Sequence, residues 1–196
     1  MARQAERREA TREHLFAAAR TLIAERGFAD TTVDDIVRLA DVAKGTFYYH
    51  FRSKEELVVR MARRRLSDAI AMMQRRLQDG ESPLTCLRAF LHEVAEVVER
   101  DRELSRVFFS LSLQEPPRES GDPPQPSFRR AASEGVAAAQ AAGQIRADLS
   151  AGELGEMLGS LFLSAELSWL MHDAHDSLVD RADRAFTFFL EGALPR

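Results

Sequence analysis

The 196-residue sequence predicts an all-α chain in which a small N-terminal three-helix unit joins a larger helical C-terminal one. Three observations predict it. Apolar residues recur at three- and four-residue spacing through successive segments, and no strand-like alternation interrupts them. Good helix starters such as Thr32 and Ser53 precede these segments, and Gly27 and Asp79-Gly80 close them. Finally, two short apolar segments near residues 33–40 and 44–51 are separated by three residues, the spacing of two helices set at an angle.

The elements follow in order. A first helix from about Glu9 to Arg26 carries Leu15, Ala18, Ala19, Leu22 and Ile23 on one face, and Gly27 stops it. Thr32 is a good N-cap whose hydroxyl can accept from the N–H near Asp35, while Asp34 and Asp35 suit the positive end of a helix starting near Val33. Val33, Ile36, Val37 and Ala40 form its apolar face, and Asp41-Val42-Ala43 makes the turn, with Asp41 tolerant of left-handed geometry. A second helix of about two turns begins at Lys44. Phe47 and Phe51, four apart, point inward and leave Lys44, Gly45, Thr46, Tyr48, Tyr49 and His50 outward.

Those outward groups carry chemistry. Gly45 permits close backbone approach, the hydroxyls and His50 suit phosphate oxygens and base edges, and Lys44 supplies charge. Together they make a DNA-reading device, against the alternative of a helical hairpin used for packing alone. Useful affinity from so short a surface implies a two-fold homodimer on double-stranded DNA, with recognition helices in successive major grooves about 34–36 Å apart and a pseudo-palindromic site.

After Phe51, Ser53-Lys54-Glu55-Glu56 forms a capping box that opens a long helix to about Leu77. Further helices read as Pro83–Arg100, Glu103–Gln114, Ser127–Ala142, Ala151–Met171 and Ser177–Ala193. The domains are expected at 1–52, the helix-turn-helix unit, and 53–196, the effector-binding and dimerisation unit.

Composition narrows the class. The net charge of −4 is unpromising for a DNA binder, but its distribution is not. Residues 1–65 hold 14 Arg and Lys against 10 Asp and Glu, a net of +4, leaving 13 against 21, a net of −8, in the remainder. Arg3, Arg7, Arg8 and Arg12 read either as a solvated, frayed helix start or as an arm that tracks phosphate. No run is apolar enough to span a membrane, and MARQAERREATREH lacks the apolar middle of a signal peptide, so a cytoplasmic protein is expected. The single cysteine, Cys86, excludes an internal disulfide.

The segment TTVDDIVRLADVAKGTFYYHFRSKEEL, within about the first 65 residues, strongly resembles the N-terminal signature of the tetracycline-repressor (TetR) family of bacterial transcription regulators. GQIRADLSAGELGEML at 143–158 is similar to that family's usual approach to its penultimate helix. The resemblance implies that Thr32, Lys44, Thr46, Tyr48, His50 and Lys54 contact phosphates, with Gly45, Thr46 and Tyr49 near bases. Two residues depart from the pattern: Asp41 stands where a turn glycine is usual, and Ala43 where Ser or Thr is frequent. The resemblance also implies repression, relieved by a small ligand, and a homodimer joined by the last two helices as a four-helix bundle.

For the dimer the candidate stripes are Leu154, Leu158, Leu161, Phe162 and Ala165 with Leu178, Ala182, Phe186, Phe189 and Leu190, which serve equally as monomer core. For a small, largely apolar effector, Met72, Met73, Cys86, Phe90, Phe108, Phe109, Phe162 and Trp169 are candidate lining residues, with Glu166, His92 or Ser112 as polar anchors; ordinary core packing is the competing reading. Cys86 reads as a redox sensor or as a small buried residue. His172-Asp173-Ala174-His175-Asp176 has metal-like residue types but lacks a supporting ligand cluster and reads as a solvated loop, and residues 115–126 form a Pro-rich loop. No cofactor, metal or catalytic constellation is implied, so an enzyme is not expected. The alternative function is a helical interaction or ligand-binding protein without DNA affinity.

Overall fold

The computed structural model describes residues 2–113, 127–172 and 176–193, with side chains from residue 6 onward. Within them lie α1 (Ala2–Arg26), α2 (Val33–Leu39), α3 (Lys44–His50), α4 (Lys54–Gln78), α5 (Pro83–Arg100), α6 (Arg102–Ser112), α7 (Phe128–Ala141), α8 (Ala151–Met171) and α9 (Leu178–Ala193), with no strand among the described residues. The chain divides into two compact units, Met1–Ala62 with Asp101–Asp122, and Arg63–Arg100 with Pro123–Arg196.

This division differs from the expected cut after residue 52 in two ways. The first turns of α4 belong with the N-terminal unit, because Leu57, Val58 and Met61 are buried in the same cluster as Phe47 and Phe51. Helix α6 belongs there too: Leu104 is buried in that cluster, and Val107, Phe108 and Leu111 pack against it. A boundary written as one residue number cannot express a segment that returns. Helix α1 also begins at Ala2 rather than about Glu9. Its first turns are Arg, Gln, Ala and Glu, good helix formers without an apolar stripe to reveal the period.

In the N-terminal unit, Leu15, Phe16, Ala19 and Ile23 of α1 meet Ile36 and Val37 of α2 and Phe47 of α3. Phe16 and Phe47 each bring their ring centroid to 5.6 Å from that of Phe51, the residue that caps α3. Gly27 ends α1 with φ +82°, and the Thr31 hydroxyl, fully buried, donates to its carbonyl at 2.8 Å.

The C-terminal unit holds α5, α7, α8, α9 and the rest of α4 around Met73, Cys86, Leu87, Phe90, Ala132, Val136, Leu158, Phe162 and Phe186. Polar groups fix its helix ends. Glu99 of α5 accepts from the Ser177 hydroxyl at 2.7 Å and from the Leu178 N–H, capping α9. Ser150 and Glu153 form a capping box on α8. The amide of Gln140 donates to the carbonyls of Arg146 and Leu149 at 2.8 and 2.9 Å, holding the connection between α7 and α8.

The stripes expected at a dimer interface are mostly this core. Leu154, Leu158, Phe162, Leu178, Ala182, Phe186 and Phe189 are buried within one chain. The exposed side of α8 instead carries Met157 and Ser168, with Leu161 and Ala165 half-buried between them, and that of α9 carries Arg184 and Phe188 beside half-buried Arg181, each row turned part-way round the helix from the buried one. Met157 and Phe188 are 53% and 68% exposed.

Helices α7 and α8 cross at small residues. A Cβ added at Gly155 would lie 2.6 Å from the backbone N and Cα of Ser133, which no side-chain rotation can relieve. Gly155→Ala is therefore expected to destabilise the C-terminal unit by on the order of 2 kcal/mol despite the better helix propensity of alanine, read as a lower denaturant midpoint.

Candidate functional site

The short helices α2 and α3 are held by local chemistry. Thr32 caps α2 from an extended conformation: the Asp35 N–H donates to its hydroxyl oxygen and its own N–H donates to the Asp35 carboxylate, both at 3.2 Å. The Thr32 hydroxyl bond, then the Arg26 guanidinium 2.7 Å away, holds the Asp35 carboxyl below its usual range. Asp41 occupies the turn with φ +53°, a conformation that costs an L-residue roughly 1 kcal/mol and that glycine takes freely. Ala43 gives α3 no side-chain cap.

On α3 the outward residues divide by exposure. Lys44, Gly45, Tyr48 and Tyr49 are exposed, whereas Thr46 and His50 are half-buried. Nothing lies within 4 Å of a Cβ built on Gly45, so the backbone there stands open. Lys44 reaches back to Asp34 at 2.8 Å. The Arg8 guanidinium sits 5.2 Å from the Tyr49 ring centroid. His50 is pushed down from the ordinary histidine range, first by burial and then by the nearby charges of Arg12, Arg8 and Arg60, so it is neutral near pH 7. The result is a small exposed platform of hydroxyl, imidazole and ammonium groups with three guanidinium groups around its histidine. Arg60, on α4, was invisible to motif reading because it sits outside the helix pair.

Lys54 does something else. Its ammonium donates to the carbonyls of Phe28 and Thr31 at 2.8 and 2.9 Å and lies 4.3 Å from the Phe28 ring centroid. It thus binds α4 to the segment between α1 and α2, positioning the reader from behind. The Ser53 box is also rearranged: the Glu56 N–H donates to the Ser53 hydroxyl at 3.3 Å, but the Glu56 carboxylate accepts from Arg52 at 2.6 Å.

The candidate effector residues fall in both units. Met73, Cys86, Phe90, Phe162 and Trp169 are buried in the C-terminal core, where Phe128 stacks on Phe162 with centroids 4.8 Å apart. Phe108 packs instead on the N-terminal core, and Phe109 is half-buried on the same helix, α6. Burial pushes the Cys86 thiol up, as fits a small packed residue. Of the polar anchors, His92 is tied to Asp183 at 2.7 Å and Ser112 donates to the Phe109 carbonyl. Glu166 differs: it has no hydrogen-bond or ion-pair partner among the described residues, and burial alone pushes its carboxyl up to about 7.

Of the metal-like run, Asp173, Ala174 and His175 lie outside the described residues, as does the Pro-rich loop. Asp176 is held down to about 2 by hydrogen bonds from Arg181, then Arg184. Among the described residues no group of three His, Cys, Asp or Glu could hold a metal ion, and no helix is long and apolar enough to cross a membrane.

Comparison with known proteins puts a boundary at the same point in α4, although the second family model runs on through α6. The family model described as bacterial regulatory proteins, tetR family, matches residues 15–61, and that of the TetR/AcrR family transcriptional repressors, C-terminal domain, matches residues 63–192. The HTH-type transcriptional repressor NemR of Escherichia coli (strain K12) is 39% identical over 71 residues, 36% of each chain. The HTH-type transcriptional repressor KstR2 of Mycolicibacterium smegmatis is 35% identical over 88 residues, 45% of this chain and 43% of the relative. The chain thus aligns with less than half the length of these two curated relatives. Over nearly the whole chain it is similar to the crystal structure of Thermus thermophilus FadR, a TetR family transcriptional repressor in complex with lauroyl-CoA (26% identity, 94% of this chain and 96% of that one, TM-score 0.70). The fold of SmeT, the repressor of the Stenotrophomonas maltophilia multidrug efflux pump SmeDEF, is also shared (20% identity, 94% and 90%, TM-score 0.69).

Glu166 sets a pH dependence whose sign is fixed. Its folded value, about 7, lies above the ordinary 4.5, so between those values the unfolded chain releases the proton that the fold retains. Wild-type stability therefore falls as pH rises through that window. Glu166→Gln, which cannot ionise, is expected to gain on wild type by about 2–3 kcal/mol between pH 4.5 and 8, measured from urea midpoints at the two ends.

Proposed function

The chain belongs to the TetR family of transcriptional regulators, and from that premise we propose that it is a ligand-responsive repressor that binds a pseudo-palindromic operator as a homodimer. The observation that carries this reading is the outward side of α3. Phe47 and Phe51 anchor the helix, and Lys44, Gly45, Tyr48 and Tyr49 stand exposed beside Thr46 and His50. Thr32, Lys44, Thr46, Tyr48 and His50 contact phosphates, Gly45, Thr46 and Tyr49 lie against bases, and Lys54 keeps the reader in place for them. Bound across a promoter, the dimer occludes polymerase. The protein acts in the cytoplasm by binding and catalyses nothing.

The dimer forms through the outward stripes of α8 and α9. Met157 and Phe188 are large apolar groups left exposed there, and an open cleft of about 380 Å³ between the helices is lined by Leu161, Ala165, Ser168, Arg181 and Arg184. The effector is a small, largely apolar molecule held in the C-terminal unit. Its buried Met73, Phe90, Phe162 and Trp169 offer apolar contact, and the lauroyl-CoA of the Thermus thermophilus relative carries a long apolar chain. Release runs through α4, which is continuous from the N-terminal unit into the C-terminal one and has no Gly or Pro between Lys54 and Gln78. A ligand that prefers one tilt of this rod changes the spacing of the two readers and loses the matched grooves.

Three measurements test the reading. Fluorescence anisotropy with the DNA upstream of the protein's own gene, against scrambled duplex, is expected to give salt-sensitive, sequence-preferring binding. Gly45→Ala separates fold from function: a methyl there meets nothing in the free protein, so stability should rise by about 0.5–1 kcal/mol while operator affinity drops about tenfold or more. Equal affinity of the alanine variant would remove α3 from the interface. For the dimer, Phe188→Asp is expected to give monomers by light scattering with helical content retained; a persistent dimer would place the interface elsewhere.

A further inference from the structure

Helix α1 begins well before the residues it buries. Leu15, Ala19 and Ile23 form one row on the core side of the helix, all of them buried. Followed back toward Ala2 in three- and four-residue steps, the same row reaches Arg12 and then Arg8. A row that served packing alone would stay apolar or stop. This one turns basic and runs on about 10 Å beyond Leu15.

Residues 6–13 hold three arginines and three glutamates, so the segment is neutral as a whole. The helix separates the signs. Arg8 and Arg12 share the core-side row, whereas Glu6 and Glu13 fall on the opposite side. Glu9 lies on the flank, 3.1 Å from Arg12.

The basic row lies beside the outward side of α3. The Arg8 guanidinium sits 5.2 Å from the ring centroid of Tyr49, a residue that is 61% exposed. Arg12 and Arg8, with Arg60 of α4, are also the cations that oppose protonation of the neighbouring His50. Gathering three guanidinium groups around one histidine is unfavourable in the free protein. Glu9 and Glu56, paired with Arg12 and Arg60, offset part of that repulsion, and a polyanion offsets the rest. Arg8 itself rests on an aromatic face, which holds a cation by charge but offers it no oxygen acceptor. The N–H donors of an exposed guanidinium suit two oxygens of one phosphate, which accept a parallel pair of hydrogen bonds.

We propose that Arg8 is a further DNA contact, supplied by α1 from outside the helix pair: its guanidinium binds a backbone phosphate, and the Tyr49 ring holds it in place to do so. This rests on the reading of α3 as the DNA-facing helix. A phosphate contact carries no sequence information, so Arg8 strengthens preferred and scrambled duplexes alike, and its ring support ties that contact to the residue that lies against bases.

The test is fluorescence anisotropy of the full chain on the upstream duplex and its scrambled counterpart across a salt series. Arg8→Ala is expected to weaken binding to both duplexes about five- to tenfold and to lower the slope of log affinity against log salt by about one. Its thermal midpoint should stay that of wild type, because the side chain is exposed. Arg75→Ala, which removes an exposed arginine from the C-terminal unit, should leave the slope as it is. In a Tyr49→Phe background, which keeps the ring, the effect of Arg8→Ala should persist, and in Tyr49→Ala it should fall to about half or less. An unchanged slope for Arg8→Ala, or an equal loss for Arg75→Ala, overturns the phosphate contact. Weakening confined to the upstream duplex makes Arg8 a base contact and overturns it too. A full effect in the Tyr49→Ala background overturns the role of the ring. Wild type without salt-sensitive binding to either duplex overturns this assignment together with the reading of α3.

Discussion

A helix of seven residues has no stability of its own in water, so whatever the exposed side of α3 presents depends on the two phenylalanines that fasten it. Phe47 is fully buried and Phe51 nearly so, and each ring touches the other. Phe16 from α1 closes the cluster from one side, and Leu57, Val58 and Met61 of α4 contribute to the same core. Because both anchors lie on one face, Lys44, Gly45, Tyr48 and Tyr49 are turned away from the core, while Thr46 and His50 lie half-buried at its edge. The interface is therefore a by-product of the packing: once Phe47 and Phe51 are placed, Lys44, Gly45, Tyr48 and Tyr49 have nowhere to go but outward. Shrinking either anchor would cost the unit several kcal/mol and the interface its geometry at the same time.

The charges around this helix are arranged for exchange. Lys44 is paired with Asp34, and both are exposed, so the pair contributes little to stability in water. A phosphate offered to the same ammonium carries more oxygen acceptors and gains from the release of counterions, which favours swapping the partner on DNA. His50 sits neutral because burial and three arginines oppose its protonation. A phosphate nearby reverses the sign of that field. Asp34 and Asp41 work against DNA in the long range, and the tyrosine hydroxyls and open backbone at Gly45 act only at contact. Such a surface gives up some nonspecific attraction and leans on fit, which favours discrimination between sequences over affinity for DNA in general.

What the sequence disclosed follows from where the physics is local. Helix starts and stops were legible because Thr32, Gly27 and Gly80 act within four residues of themselves, and the inward and outward sides of α3 followed from the spacing of Phe47 and Phe51. The resemblance read from the sequence rests chiefly on the same dense stretch, whereas the family models extend the match through residues 63–192. Other features needed three dimensions. Helix α6 packs with the N-terminal core through Leu104, far along the chain from Leu15 and Phe47, and nothing in its own stripe names its partner. The outward rows of α8 and α9 could not be told from the buried rows, because a helix apolar on two sides has two candidate faces. Lys54 read as a phosphate contact by resemblance, and only the carbonyls of Phe28 and Thr31 show it positioning the segment between α1 and α2.

The C-terminal unit resolves a conflict between rigidity and response. Gly155 lets α8 approach Ser133 of α7 at backbone distance, and Glu99, Ser150 and Gln140 fix the helix ends, so these elements have little freedom to shift independently. A unit packed this closely does not deform smoothly when a molecule enters; it moves between discrete arrangements or not at all. The place where such a choice can be biased is where packing is incomplete in energy, and Glu166, a desolvated acid without a partner, is such a place.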